Sequence, residues 1–214
     1  MKVLAGLNTL QIVYIAIAST VVALIIFLAI FIPIHKKRVK TKYNEIYYKK
    51  IYKIAMQGDY FLINNFKFSL DDSQVAKIDH ILFAEKYIYI INDFYYPGNL
   101  MGKEDDKSFI LINEKGKKFY TDNPLINSQR IINSLSLLTG IDKSMFIGLI
   151  LVNKNCSCNI KFTTKTLYLV KYSLTRKLIK SIESRDIGTI NQDQLEQAVD
   201  AINKLNRRKI KSED

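Results

Sequence analysis

The run Val75-Ala76-Lys77-Ile78-Asp79-His80-Ile81-Leu82-Phe83, with Tyr87-Ile88-Tyr89-Ile90-Ile91 soon after it, decides the fold class. Branched and aromatic residues fill both segments, which read as the two strands of a β-hairpin. Strict alternation places Val75, Lys77 and Asp79 on one face of the first strand and Ala76, Ile78 and His80 on the other. Asp79 is then a carboxylate in mid-strand, with Ile78 before it and Ile81-Leu82-Phe83 beyond. Burying it is costly unless something pairs with it. It is either a metal or catalytic ligand or a structural hydrogen-bond acceptor. His80 reads as a core or edge histidine with a satisfied ring.

Outward from this hairpin, Tyr60–Phe68, Phe109–Ile112 and Lys118–Tyr120 are further strand-like runs. Turn signals separate the strands at Asp71-Asp72-Ser73, Tyr96-Pro97-Gly98 and Glu114-Lys115-Gly116. Upstream, residues 38–57 carry Val39, Tyr43, Ile46, Tyr47, Ile51 and Ile54 at helical spacing, and Gly58 can end the helix. Downstream, Asn123 is a candidate N-cap with Pro124 as first helical residue. Ile131, Ile132, Leu135 and Leu138 give that helix an apolar face, and Gly140 stops it. Met145–Val152 reads as a fully buried strand and Leu167–Tyr172 as another. Helices follow at Leu174–Ser184 and 191–207, the last opened by a capping box of Asn191 and Gln194. The order predicts one α/β domain, a mixed sheet flanked by helices.

The N-terminal region is of another kind. From Val3 to Ile34 there is no charge, and Leu10 to Ile34 is almost continuously apolar. About 25 such residues suffice to cross a hydrocarbon core of ~30 Å, and they exceed the apolar region of a signal peptide. Lys2 stands alone before this run, whereas Lys36, Lys37, Arg38, Lys40 and Lys42 follow it. Basic flanks stay in the cytoplasm, so the expectation is a single-pass protein of the cell membrane, N-terminus outside and the rest cytoplasmic. The basic cluster is a stop-transfer flank that can also hold an anionic lipid surface.

The chain has 214 residues, with 32 Lys and Arg against 20 Asp and Glu, a formal charge of +12. Nearly all of these charges lie beyond residue 34, so that part fits a nucleic-acid or membrane-surface partner. With 48% hydrophobic residues the chain is not disordered, and two cysteines exclude a disulfide scaffold. Phosphate-loop, dinucleotide, serine-hydrolase and HExxH signatures are all missing. Cys156-Ser157-Cys158 falls in an expected loop. With no second Cys pair or nearby His it lacks the ligands for zinc, and it reads as two incidental thiols in a reducing cytoplasm.

Taken together, Ile78-Asp79-His80-Ile81-Leu82, the strand Tyr87–Ile91, Pro97-Gly98 and Asn123-Pro124 leading a helix resemble the NERD (nuclease-related) domain family. The resemblance covers roughly Asn44 to Gly140. It implies a restriction-endonuclease-like fold, distantly akin to PD-(D/E)XK nucleases, and a site that holds Mg²⁺ on carboxylates. Carried over, it assigns Glu45 to the first helix of the motif and Asp79 to the metal-holding strand. Both would be catalytic and metal-binding residues if the domain is active. The family's Glu-x-Lys falls on Asn92-Asp93-Phe94, and the Gln of its helical motif falls on Asn127. Asn92 is a weak Mg²⁺ ligand, and Phe94 can neither donate nor carry charge. Asp93 could serve only if a bulge turned it, and Lys77, on the face of Asp79, is the candidate substitute for the missing lysine.

The expected organisation is a transmembrane anchor over 1–34, a basic juxtamembrane segment over 35–43, a nuclease-related domain over 44–207 and a polar tail over 208–214. Three functions compete: a catalytically degenerate domain that binds DNA or RNA, an active Mg²⁺-dependent nuclease, and a non-catalytic module for a protein partner or lipid.

Overall fold

The hairpin forms as β2 (Val75–Phe83) and β3 (Ile88–Asp93), antiparallel, with Ile81 opposite Ile90. The computed structural model describes residues 9–70, 74–161 and 163–210. The turn at Asp71-Asp72-Ser73, the first eight residues and tail residues 211–214 lie outside the described residues. The chain divides into two compact units, Met1–Lys42 and Tyr43–Asp214.

The first unit is helix α1 (Thr9–Thr41). Its segment Leu10–His35, 26 residues, is long and apolar enough to cross a membrane, and none of it is buried in the structure. The hydroxyls of Ser19 and Thr20 both donate to the Ala16 carbonyl, so the helix satisfies its own polar groups as a hydrocarbon surround demands. Lys and Arg are good helix formers, and α1 continues through Arg38 and Lys40 to Thr41. The helix expected over 38–57 is therefore cut at Lys42, and α2 (Tyr43–Gly58) is its remainder.

The second unit is built on a five-stranded sheet in the order β1-β2-β3-β7-β9, with β1 (Phe61–Ser69), β7 (Phe146–Val152) and β9 (Leu167–Lys171). β1, β2 and β3 run antiparallel, while β3, β7 and β9 are parallel. α2 and α4 (Thr175–Glu183) cover one face, burying Tyr47, Ile51, Ile54, Ile179 and Ile182 against Leu82, Tyr89, Ile91 and Leu149. α3 (Pro124–Thr139) and α5 (Gln192–Ile210) cover the other, with Leu125, Ile132, Leu135 and Ile202 over Ile78, Ile88, Ile90 and Ile150. Burying each such aliphatic side chain stabilises the fold by about 1.5–3 kcal/mol. β7 is buried along its whole length because helices lie on both of its faces.

The ends of the helices follow the sequence. Asn123 caps α3 by accepting from the Leu125 N–H at 2.9 Å, and Gly140 closes it at φ 75°. Asn191 and Gln194 exchange hydrogen bonds at the start of α5. Leu138, expected on the apolar face of α3, is 45% exposed.

The mixed α/β architecture flanked by helices is as expected, and it holds two sheets rather than one. β4 (Gly98–Lys103), β5 (Ser108–Asn113), β6 (Lys118–Asp122) and β8 (Ser157–Lys161) form a second, mixed sheet in the order β6-β5-β4-β8. β4 and β8 carry no strand signal, being glycine-containing or polar, and they pair in parallel across a long stretch of chain. Gly98 opens β4 at φ 152°, where a Cβ would lie 2.1 Å from the Ile112 carbonyl oxygen, so only glycine fits. Leu100, Phe109 and Cys156 from this region complete the core beneath α3 and α5.

Candidate functional site

Strict alternation fails in the middle of β2. Ala76 and Ile78 enter the core beneath α3 and α5, but so do Ile81 and Phe83, after an interval of three residues. β1 shifts at the same level: Phe66 and Phe68 enter that core together with Ile63, and the intervening Asn65 has φ 53°. Because the two shifts match, the register is the same on either side, with Asn64 opposite His80 and Phe66 opposite Ile78. The result is a paired bulge that turns two consecutive residues, Asp79 and His80, toward the α2 side. His80 therefore does not share a face with Ala76 and Ile78, as alternation predicts.

Asp79 is held at both oxygens. Oδ1 lies 2.7 Å from Lys77 Nζ, and Oδ2 accepts the Asp93 backbone N–H at 2.9 Å. The bond to Asp79 raises the Lys77 pKa, so the ammonium stays charged. His80 Nδ1 bonds to Asn64 Oδ1 at 2.6 Å, and Nε2 lies 3.2 Å from Asp93 Oδ2. With Nδ1–H donating to Asn64, Nε2 is the ring nitrogen that meets the Asp93 carboxyl. Burial pushes the Asp93 carboxyl above its usual range, although the bond and charge of His80 pull the other way.

α2 roofs this group with tyrosines. Tyr47 donates its hydroxyl to the Phe94 carbonyl at 3.2 Å, and the Tyr48 ring lies 6.2 Å from the His80 ring. Burial raises the Tyr43 pKa, and the charges of Asp79 and Asp93 add to it.

Of the residues singled out from the sequence, Lys77 and Asp79 meet directly. Asn92 approaches through its Nδ2, 3.4 Å from the Lys77 carbonyl, while its buried Oδ1 has no hydrogen-bond partner among the described residues. Asp93 joins the group without any bulge in β3, because the bulge lies in β2. Phe94 packs against the core beneath α3 and α5 and stacks on Tyr96 at 5.7 Å. Glu45 is exposed on α2 and pairs with Lys49 at 2.7 Å. Asn127 is exposed on α3, the helix across the sheet from α2. Sequence reasoning missed Asn64, Tyr43, Tyr47 and Tyr48. The one available signal was Asn64-Asn65, two adjacent amides between Ile63 and Phe66.

A family profile, the nuclease-related domain, matches residues 42–153, just over half of the chain. The chain belongs to the nuclease-related domain (NERD) family. No curated protein and no solved structure gives a match. For a nuclease-related domain, a divalent cation is the implied cofactor, and the donor set here does not fit one. Mg²⁺ demands near-octahedral oxygen ligation with carboxylate help. Here the Lys77 ammonium already neutralises Asp79, Asp93 is tied to His80 and resists ionisation, and Asn92 is neutral. Among the described residues no three His, Cys, Asp or Glu side chains converge on a common point.

Proposed function

We propose that this protein is anchored in the cell membrane by α1, and that its NERD domain binds nucleic acid without cleaving it. The reading rests on one observation: Lys77 stands 2.7 Å from Asp79, at the place where an active domain needs a metal ion. An internal cation replaces the external one, so the site keeps its architecture while the metal-assisted step loses its ligands. Basic residues beyond the apolar stretch, at the C-terminal end of α1, favour an N-terminus outside and a cytoplasmic domain, with the anchor over 1–34, the juxtamembrane segment over 35–43 and the domain over 44–207.

The surface beside the site suits a single strand. Tyr48 and Tyr52 are 39% and 49% exposed on α2, with rings 6.0 Å apart, and exposed Lys49 and Lys53 alternate with them. Aromatic faces accept stacked bases and lysines accept phosphates, and neither reads sequence. The test is a salt titration of DNA and RNA oligonucleotide binding to the full chain in detergent micelles. Affinity is expected to fall linearly with salt on logarithmic axes, and Tyr52→Ala to cost about 1–3 kcal/mol per stacked base. Absence of binding at low salt, or affinity indifferent to salt, contradicts the proposal.

A further inference from the structure

The loop expected to hold both cysteines is shorter than the spacing predicts: Cys156 lies in a turn and Cys158 on β8. The Cys156 N–H donates to the Asn153 carbonyl, closing a turn after β7, and the side chain is fully buried. Cys158 belongs to β8, next to Leu100 of β4, and is exposed. Two residues apart on a regular strand, the side chains would be separated by about 6–7 Å. The turn instead folds Cys156 back, so that the two sulfurs lie 3.5 Å apart.

The geometry points to Cys156 and Cys158 as an oxidisable dithiol, a modification site at which hydrogen peroxide converts the pair to a disulfide. The sulfurs need to approach by only about 1.5 Å to reach bonding distance. The division of labour is built in. The thiol–thiol hydrogen bond lowers the Cys158 pKa, with Lys171 adding to it, while the same bond and burial raise that of Cys156. Cys158 is thus the accessible attacking thiolate and Cys156 the protected resolving thiol. The Cys158 thiolate attacks one peroxide oxygen; an S–O bond forms, the O–O bond breaks, and the departing hydroxide takes a proton to become water. The Cys156 sulfur then attacks the sulfenic sulfur; the S–S bond forms, the S–O bond breaks, and the Cys156 proton leaves with the second water. Two thiols are oxidised and one peroxide is reduced.

The turn that moves is tied to the nuclease-related site. Asn153 Oδ1 accepts the Tyr96 N–H at 2.9 Å, and Tyr96 stacks on Phe94, the residue after Asp93.

Trypsin cuts after Lys154 and Lys161, so the peptide Asn155–Lys161 holds both cysteines. Full-length protein in micelles is treated with one equivalent of hydrogen peroxide, blocked with a maleimide, and this peptide is weighed. The expected product lacks two hydrogens and carries no maleimide. Cys158→Ser is expected to slow thiol loss about ten-fold or more, and Cys156→Ser to leave a dimedone-reactive sulfenic acid on Cys158. A urea-unfolded wild-type control guards against misfolded variants, since closure should be faster in the folded chain. A doubly alkylated peptide, cross-links only between molecules, an unslowed Cys158→Ser variant, or closure no faster than in urea would each overturn the assignment.

Discussion

Asp93 and His80 show how a single buried pair controls a local equilibrium. Burial raises the pKa of the folded Asp93 carboxyl above its ordinary value, so the native state holds that proton more tightly than the unfolded chain. The sign follows: this contribution is fully present below the unfolded pKa and is lost as pH rises through the folded pKa. Asp93→Asn carries no such proton. Its melting temperature relative to wild type is therefore expected to climb as pH rises from about 4 toward neutrality. A constant offset across that range, measured by circular dichroism, would show that Asp93 ionises freely. Asp79→Ala strips partners from Lys77 and from the Asp93 N–H, and is expected to cost about 1–3 kcal/mol in chemical denaturation. At this scale the sequence shows that Asp79 needs a partner, and Lys77 two residues away supplies it. It hides the paired bulge, because the matched shifts in β1 and β2 keep the register and Ile81-Leu82-Phe83 is apolar on both faces.

Among the elements, the main sheet and its helices were legible, and the second sheet was legible only in part. β7 announces itself through an uninterrupted apolar run, and α3 through Asn123, Pro124 and Gly140, each with a local physical reason. β4 and β8 have no such mark; their pairing is decided by neighbours far along the chain. Two substitutions test what holds these elements. Asn123 both caps α3 and donates to the carbonyls of Glu104 and Asp106 at 2.8 and 2.7 Å, joining the second sheet to the helix. Asn123→Ala should cost about 2–3 kcal/mol, measured by urea denaturation, because a cap and two buried carbonyls lose their partner together. Gly98→Ala forces a Cβ onto the Ile112 carbonyl oxygen and should cost about 2–4 kcal/mol. A Gly98→Ala protein as stable as wild type would mean that β4 does not pair with β5 at this point.

For the whole molecule, the apolar helix and the charge balance were plain in the sequence, since both are matters of composition. The function was harder to read, because the match over residues 42–153 names a domain family and not an activity. Orientation has its own test, through the exposed Cys158. In intact cells a membrane-impermeant maleimide should leave Cys158 unlabelled, and in inside-out vesicles it should label it. Labelling in intact cells would place the domain outside. The proposed replacement of a metal ion by Lys77 beside Asp79 is tested most directly by a cleavage assay. Full-length protein in micelles is incubated with single- and double-stranded DNA and RNA, with Mg²⁺ or Mn²⁺, beside an Asp79→Ala control. Intact substrate is expected in both reactions; metal-dependent cleavage by the wild type that disappears in Asp79→Ala would contradict the replacement.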